Sequence, residues 1–420
     1  NTVFSFVSLF CYCDMRVGVF FLLLVCSIAT AQFHNHQEPC GHENVMRQLY
    51  DENPGMEEAF RLGHQKIEEQ IKERENLRRH GHSIKEAESL IRIPVVFHVL
   101  IDAQDTAGTD LSDERINSEI QFLNEWFSAS NTHYNSASDY WKSQNVIAEA
   151  SDFQIQFQLA SISPSGQTTN GINRITASAE AMNNCRTATS TSSITRPFRT
   201  ADGGQDAWDT LLYLNVWVCP LTAAAGFAFF PNKDGVTTHY RDGMLVHPVH
   251  IGDSYRGGSI SAHEAGHWLG LYHTFNGCNN GDQIDDTPDS DTHGLTKANS
   301  PEGSSWRQSC PNDESGLTDT DFMQCGSPGS IAMVQNCMDY NYEECKSYFS
   351  KGQVAHMRGV LLSSTTSRSE IRTSPGLGSG GGSNCSPDCS ELSKICGSDG
   401  CGGTCGSCNG FDTCSADGTT

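Results

Sequence analysis

The chain has 420 residues, 37% of them hydrophobic, with 27 basic against 50 acidic side chains and a net charge of −23. That balance excludes nucleic acid as a partner, because phosphates are neutralised by Lys and Arg, and it fits a soluble extracellular surface with carboxylates to spare for calcium. Eighteen cysteines point to an oxidising compartment.

Residues 1–14 lie upstream of Met15 and read as leader outside the mature protein, Cys11 and Cys13 with them. Met15-Arg16, the apolar run 17–28 and Ala29-Thr30-Ala31 make a signal peptide over 15–31. The run is too short for a membrane span, and no other stretch is long and apolar enough. Secretion follows. Residues 32–91 are rich in charge and poor in aromatics, and 56–77 have helix-forming composition, so this stretch reads as an exposed helical pro-segment. Arg78-Arg79 is either a processing point or two solvated arginines. His34, His36, His42, His80 and His82 read as exposed and incidental.

At Ile93 the pattern changes. Residues 93–101 form a buried-type strand, and Ser112-Asp113-Glu114 caps a helix with apolar Ile116, Ile120, Leu123 and Phe127. Residues 153–159 alternate strictly, and 211–219, 226–231 and 244–251 read as further strands, ahead of a helix at 259–269. Strands with a few helices over 92–372 make an α+β domain. Residues 373–384 are a Gly/Ser linker. Beyond it, 385–420 hold seven cysteines in a Gly/Ser-rich stretch without core, a small disulfide-rich module. Seven is odd, so one cysteine is unpaired or the sequence is cut short.

The chemistry centres on His263-Glu264-Ala265-Gly266-His267-Trp268-Leu269-Gly270-Leu271-Tyr272-His273. Histidines four apart on a helix share a face, so both imidazoles can reach one ion. Glu264 beside them can take the proton of the attacking water. Gly270 can leave the helix with positive φ and bring His273 round as a third ligand. Three protein ligands leave a fourth position open, the arrangement of a catalytic zinc. Histidines satisfied in a core, or a closed structural zinc site, are the alternatives; a structural site would not need Glu264. Cys40 offers a thiolate that can fill the open position, or an ordinary disulfide partner. Asp282, Asp285, Asp286 and Thr287 are hard oxygen donors for calcium or a solvated acidic loop. Tyr340 is placed to donate to an oxyanion, or is a buried structural tyrosine.

That segment, with Thr274-Phe275, Gly281-Asp282-Gln283-Ile284-Asp285-Asp286-Thr287-Pro288 and Asn336-Cys337-Met338-Asp339-Tyr340, resembles the pappalysin branch of the metzincin peptidases. Residues 93–99 and 214–219 are similar to that family too, and the likeness runs over about residues 40–362. It implies a metzincin-type catalytic domain: a twisted mixed sheet, a backing helix, an active-site helix and a substrate cleft between two subdomains. It also implies zinc-dependent endoproteolysis of protein or peptide substrates, a hydrophobic floor from Met338, an oxyanion role for Tyr340 and calcium near Asp282–Thr287. Related zymogens use a cysteine as Cys40 is placed to be used. The family's cysteine neighbourhood implies disulfides Cys278–Cys310 and Cys325–Cys345; Cys337 departs from the Tyr or Phe usual before the Met. A rival reading makes the chain a secreted matrix- or carbohydrate-binding protein with a decayed peptidase domain, its tail holding a matrix or polysaccharide ligand. Intact Glu264 and all three histidines argue against decay.

Overall fold

The computed structural model describes residues 38–80, 89–187, 198–222, 224–231, 239–253, 257–278, 281–290, 323–325, 327–341 and 343–380. The segments 1–14, 15–31 and 385–420, with Cys310, His34, His36 and His82, lie outside the described residues. Strands β1 (Glu38–Cys40), β2 (Ile91–Asp102), β3 (Ile155–Leu159), β4 (Ile172–Ala177), β5 (Leu214–Val218), β6 (Ala224–Ala228) and β7 (Met244–Val246) make one mixed sheet in the order β1-β6-β7-β5-β2-β3, with β4 also on β2. The long β2 pairs β3 along its first half and β4 along its second, and takes β5 on its other edge, all parallel. Within this sheet β6 runs antiparallel to β7. A small hairpin joins β8 (Met323–Gln324) to β9 (Ser327–Ile331).

The helices of eight or more residues among those described are, in chain order, α1 (His42–Glu52), α2 (Met56–Arg79), α3 (Asp113–Trp126), α4 (Ala179–Arg186), α5 (Ser259–Trp268) and α6 (Lys351–Leu362). Helix α3 starts where expected: Ser112 is its N-cap, accepting from the Arg115 N–H. Because strand side chains alternate, Ile93, Val95, Phe97 and Val99 face one side of the sheet with Leu123, Trp126 and α5. Leu100, Trp217, Phe227 and Leu245 face the other, with α1 and α4. Burying a side chain of this size stabilises the fold by roughly 1.5–3 kcal/mol each, so the two layers fix the plane from which α5 hangs.

Several elements differ from expectation for physical reasons. The strand expected at 226–231 sits at Ala224–Ala228, and the one expected at 244–251 stops at Val246, since Pro248 has no N–H and opens a 3-10 turn. The start of the expected linker is structured instead: Pro375–Gly380 forms 3-10 turns, and the Gly376 carbonyl accepts from the N–H groups of Ser161 and Ile162. The segment over 32–91 is not merely an exposed helix. Val45, Met46, Leu49 and Met56 are buried, and β1 is a strand of the main sheet. His42 is buried rather than exposed.

The disulfides also differ. Cys278 bonds to Cys325, Cα atoms 5.3 Å apart, and Cys185 to Cys219 at 6.3 Å. The implied Cys278–Cys310 and Cys325–Cys345 pairs are therefore not formed: the β8 turn carries Cys325 to Cys278, well inside bridging distance. Cys345 is disulfide-bonded as well. Cys40 and Cys337 are buried free thiols.

Candidate active site

Helix α5 ends by the glycine device its sequence announces. Gly270 has φ +94°, the Leu271 N–H reaches the Gly266 carbonyl and the Gly270 N–H the His267 carbonyl, the paired bonds of a Schellman cap. Arg368 pins the same end, donating from Nε to the Trp268 carbonyl at 3.0 Å, stacking on the Trp268 ring and pairing with Asp242. The chain thus reverses, and His273 swings back over the helix.

The three histidines meet. His263 Nε2 lies 3.2 Å from His267 Nε2 and from His273 Nε2, and the last two are 3.0 Å apart. Each ring is fixed from behind: His263 Nδ1–H donates to the Cys337 carbonyl at 2.6 Å, His267 Nδ1–H to the Leu271 carbonyl at 2.7 Å, and His273 Nδ1–H to Glu43 Oε1 at 3.1 Å. Burial holds the pKa of all three below the usual histidine range, so they are neutral, with their Nε2 lone pairs facing one another. Three lone pairs with no proton between them repel unless a cation joins them. Tetrahedral ligands at about 2.05 Å from zinc stand about 3.3 Å apart, so the triangle fits that ion.

Glu264 is buried beside this triangle. Its Oε2 accepts from the Cys40 thiol at 3.5 Å, and Oε1 has no hydrogen-bond partner. Burial pushes its carboxyl up to about 8, with the Cys40 thiol and the Lys346 charge pulling back. Gly226 on β6 makes room for it, since a Cβ there would stand 3.0 Å from Glu264 Oε1. Met338 lies under the helix, and a side chain at Gly266 would strike its Sδ. The turn around Met338 is tied to α6: Asn336 and Gln353 exchange amide hydrogen bonds at 2.8 and 3.0 Å, and the Met338 N–H reaches Asn336 Oδ1. Tyr340 is buried against His273, ring centroids 4.6 Å apart.

The segment upstream of β2 threads this site. Strand β1 runs parallel to β6 with Cys40 opposite Gly226, and the Gly41 N–H donates to the Gly226 carbonyl at 2.7 Å. The Cys40 Sγ and the three histidine nitrogens all lie within 4.8 Å of one another. The Tyr340 hydroxyl donates to the Cys40 carbonyl at 2.7 Å. His42 stacks on His267 at 3.9 Å and donates from Nδ1 to the Ala228 carbonyl. Sequence reasoning missed the roles of His42 and Glu43, although both follow Cys40-Gly41 directly, and that adjacency was the available signal. It also missed Arg368 and Lys346, whose buried Nζ has no hydrogen-bond partner.

The acidic loop does not gather its donors. Asp285 pairs with Lys72 at 3.0 Å, and Asp286 accepts from Ser350 Oγ and the Gly352 N–H at the start of α6. Asp282 accepts from Thr287 Oγ1 and the Ile284 N–H; burial, with Asp286 and Asp289 near, raises its carboxyl to about 8.

A mixed sheet, an active-site helix closed by a glycine turn, and a histidine triangle over a methionine define a metzincin-type domain. Residues 199–362 match the Peptidase_M43 family, described as Pregnancy-associated plasma protein-A. Mature mirolysin of Tannerella forsythia in complex with a cleaved peptide is similar at 31% identity and TM-score 0.54, over 67% of this chain and 96% of that one. A promirolysin mutant of the same organism is similar at 29% identity and TM-score 0.57, over 79% and 96%. An extracellular metalloprotease of Colletotrichum graminicola is 35% identical over 159 residues, 34% of this chain and 48% of the relative. One of Coccidioides posadasii is 33% identical over 156 residues, 35% and 49%. The match thus spans about half the length of these curated relatives. The chain belongs to the pappalysin family of metzincin metallopeptidases.

Proposed function

We propose that this chain is a secreted zinc metalloendopeptidase that hydrolyses peptide bonds in protein substrates and is held latent by its own upstream segment. The observation that carries the reading is the set of three neutral, outwardly anchored histidines whose Nε2 atoms face one another at 3.0–3.2 Å beside a buried Glu264. His263, His267 and His273 would hold the ion, and zinc there supplies Lewis acidity, polarising the scissile carbonyl and acidifying the attacking water. Glu264 accepts the proton of that water and hands it to the leaving amine. Tyr340 turns its hydroxyl from the Cys40 carbonyl to the developing oxyanion. Met338 supports the helix from below, and β6, once β1 has left it, offers its free edge to an extended substrate.

Latency rests on the same contacts. Cys40 occupies the open side of the triangle with its thiol, its carbonyl takes Tyr340, and β1 takes the edge of β6. The segment 32–91 is the pro-segment of this proposal and 92–372 the catalytic domain, with Arg78-Arg79, at the end of α2, the processing point. The proposal includes calcium at the Asp282–Thr287 loop, supported by the buried Asp282 carboxyl with the carboxylates of Asp286 and Asp289 near it; equilibrium dialysis with calcium tests it.

The enzyme reading is tested with Glu264→Gln. General acid–base catalysis is worth about 10²–10⁴-fold, so hydrolysis of a quenched peptide should fall at least 100-fold while zinc content stays unchanged. Full activity in the variant sinks the assignment.

A further inference from the structure

Helix α2 carries His64 and Glu68 one turn apart, on the side that meets α6. The two helices approach closely there: a Cβ at Gly359 would stand 2.7 Å from Ile67 Cγ2. His356 of α6 faces the pair. The imidazoles of His64 and His356 stack 3.7 Å apart at 17°, and His356 Nδ1 lies 2.7 Å from Glu68 Oε1. One donor atom from each of the three lies within 4.8 Å of the others.

Two features of this cluster call for a ligand. His64 is buried at 6% exposure, and neither of its ring nitrogens has a hydrogen-bond partner. A buried polar group left unpaired costs about 1–3 kcal/mol, and here both nitrogens of one ring are affected. The cluster's own three side chains carry no positive charge. Burial keeps His64 well below the usual histidine range and His356 down to about 3, so both rings are neutral and in the ligating form. Burial, with Asp285 near, raises Glu68 to about 7. Lys72, the neighbouring cation on α2, is engaged with Asp285. A cavity of about 410 Å³ opens beside the cluster, lined by His64, His356, Gly270 and Tyr272 among others, with room for water to complete a coordination shell.

We propose that His64, Glu68 and His356 form a second divalent-cation site, separate from the His263 triangle, that joins helix α2 to helix α6. Two imidazole nitrogens and one carboxylate oxygen are a donor set for zinc rather than for calcium or magnesium, which take oxygen. One donor atom of each side chain already lies within 4.8 Å of the others, so modest side-chain rotations bring all three onto one ion. His64 then gains the partner it lacks, and Glu68 is held ionised. Two donors belong to the segment upstream of β2 and one to the main body, so the ion stabilises the docked position of α2.

The test counts metal in the full-length chain. Wild-type protein, His64→Ala, Glu68→Gln and His267→Ala are stripped with chelator and dialysed against buffered zinc. Bound zinc is read by plasma mass spectrometry, with circular dichroism as the check of folding. Wild type should hold one zinc more than His64→Ala, and Glu68→Gln should need at least about tenfold more free zinc to fill that position. His267→Ala should lose the other ion and keep this one, so failure of the catalytic-site reading stays distinguishable. If His64→Ala does not fold, Glu68→Gln, which keeps shape, is read in its place. Equal zinc in wild type and in folded His64→Ala, or an unchanged zinc requirement in Glu68→Gln, overturns the proposal, leaving the stacked pair a contact between neutral rings.

Discussion

Replacing Cys40 by alanine in the full-length chain isolates one component of latency. Structural zinc sites of four ligands bind with about 10–16 kcal/mol, or roughly 3 kcal/mol per ligand. At 1.4 kcal/mol per factor of ten, losing the thiolate should raise the fraction of molecules with an open site by about 100-fold. Much of the blockade remains in the variant: the β1–β6 pairing, the Tyr340 bond to the carbonyl of residue 40, the His42 stack on His267 and the Glu43 bond to His273. The leak should therefore rise steeply without reaching full activity. The assay is the initial rate on a quenched peptide, taken while gel electrophoresis shows the segment intact. A Cys40→Ala chain as silent as wild type would refute the thiol's role and leave steric cover by β1 as the whole cause.

Three further outcomes follow from the geometry. Tyr340→Phe should lower kcat about 100-fold with little change in KM, the size expected for one oxyanion donor; a pure KM effect would make it a binding residue. Gly270→Ala should cost about 1–3 kcal/mol from its positive φ, with a Cβ 3.1 Å from His356 Nε2, and should loosen zinc, read by thermal melting and metal content. Glu119 is fully buried with its Oε2 accepting from the Gly252 N–H and Oε1 unpaired, and burial raises it from 4.5 to about 7. A raised carboxyl pKa gives stability that is complete below about pH 4.5 and lost as pH climbs through 7. Glu119→Gln should remove that slope and stabilise the protein at pH 8 by up to about 3 kcal/mol, measured by denaturant titration across pH; an unchanged slope would show another group responsible.

How much of this was legible in the sequence depended on how local each signal was. Helix α5 and its exit were readable because helical spacing and one glycine fix where His263, Glu264, His267 and His273 point. The buried run of β2 and the Ser112 cap were readable for the same reason. Strand β4 was not: Ile-Asn-Arg-Ile-Thr-Ala is partly exposed, and only pairing with β2 makes it a strand. Strand β1, three residues long, owes its existence to the edge of β6. The Cys278–Cys325 bridge depends on where the β8 turn returns the chain, which spacing cannot supply. The same holds for His64 with His356, joined by two packed helices, and for Glu43 with His273.

The most direct test of the account is anomalous X-ray scattering at the zinc edge from crystals of the chain. The account predicts a strong peak about 2.0–2.1 Å from each Nε2 of His263, His267 and His273, with Glu264 beside it and outside bonding distance. No peak inside that triangle, in crystals grown with zinc present, would contradict it.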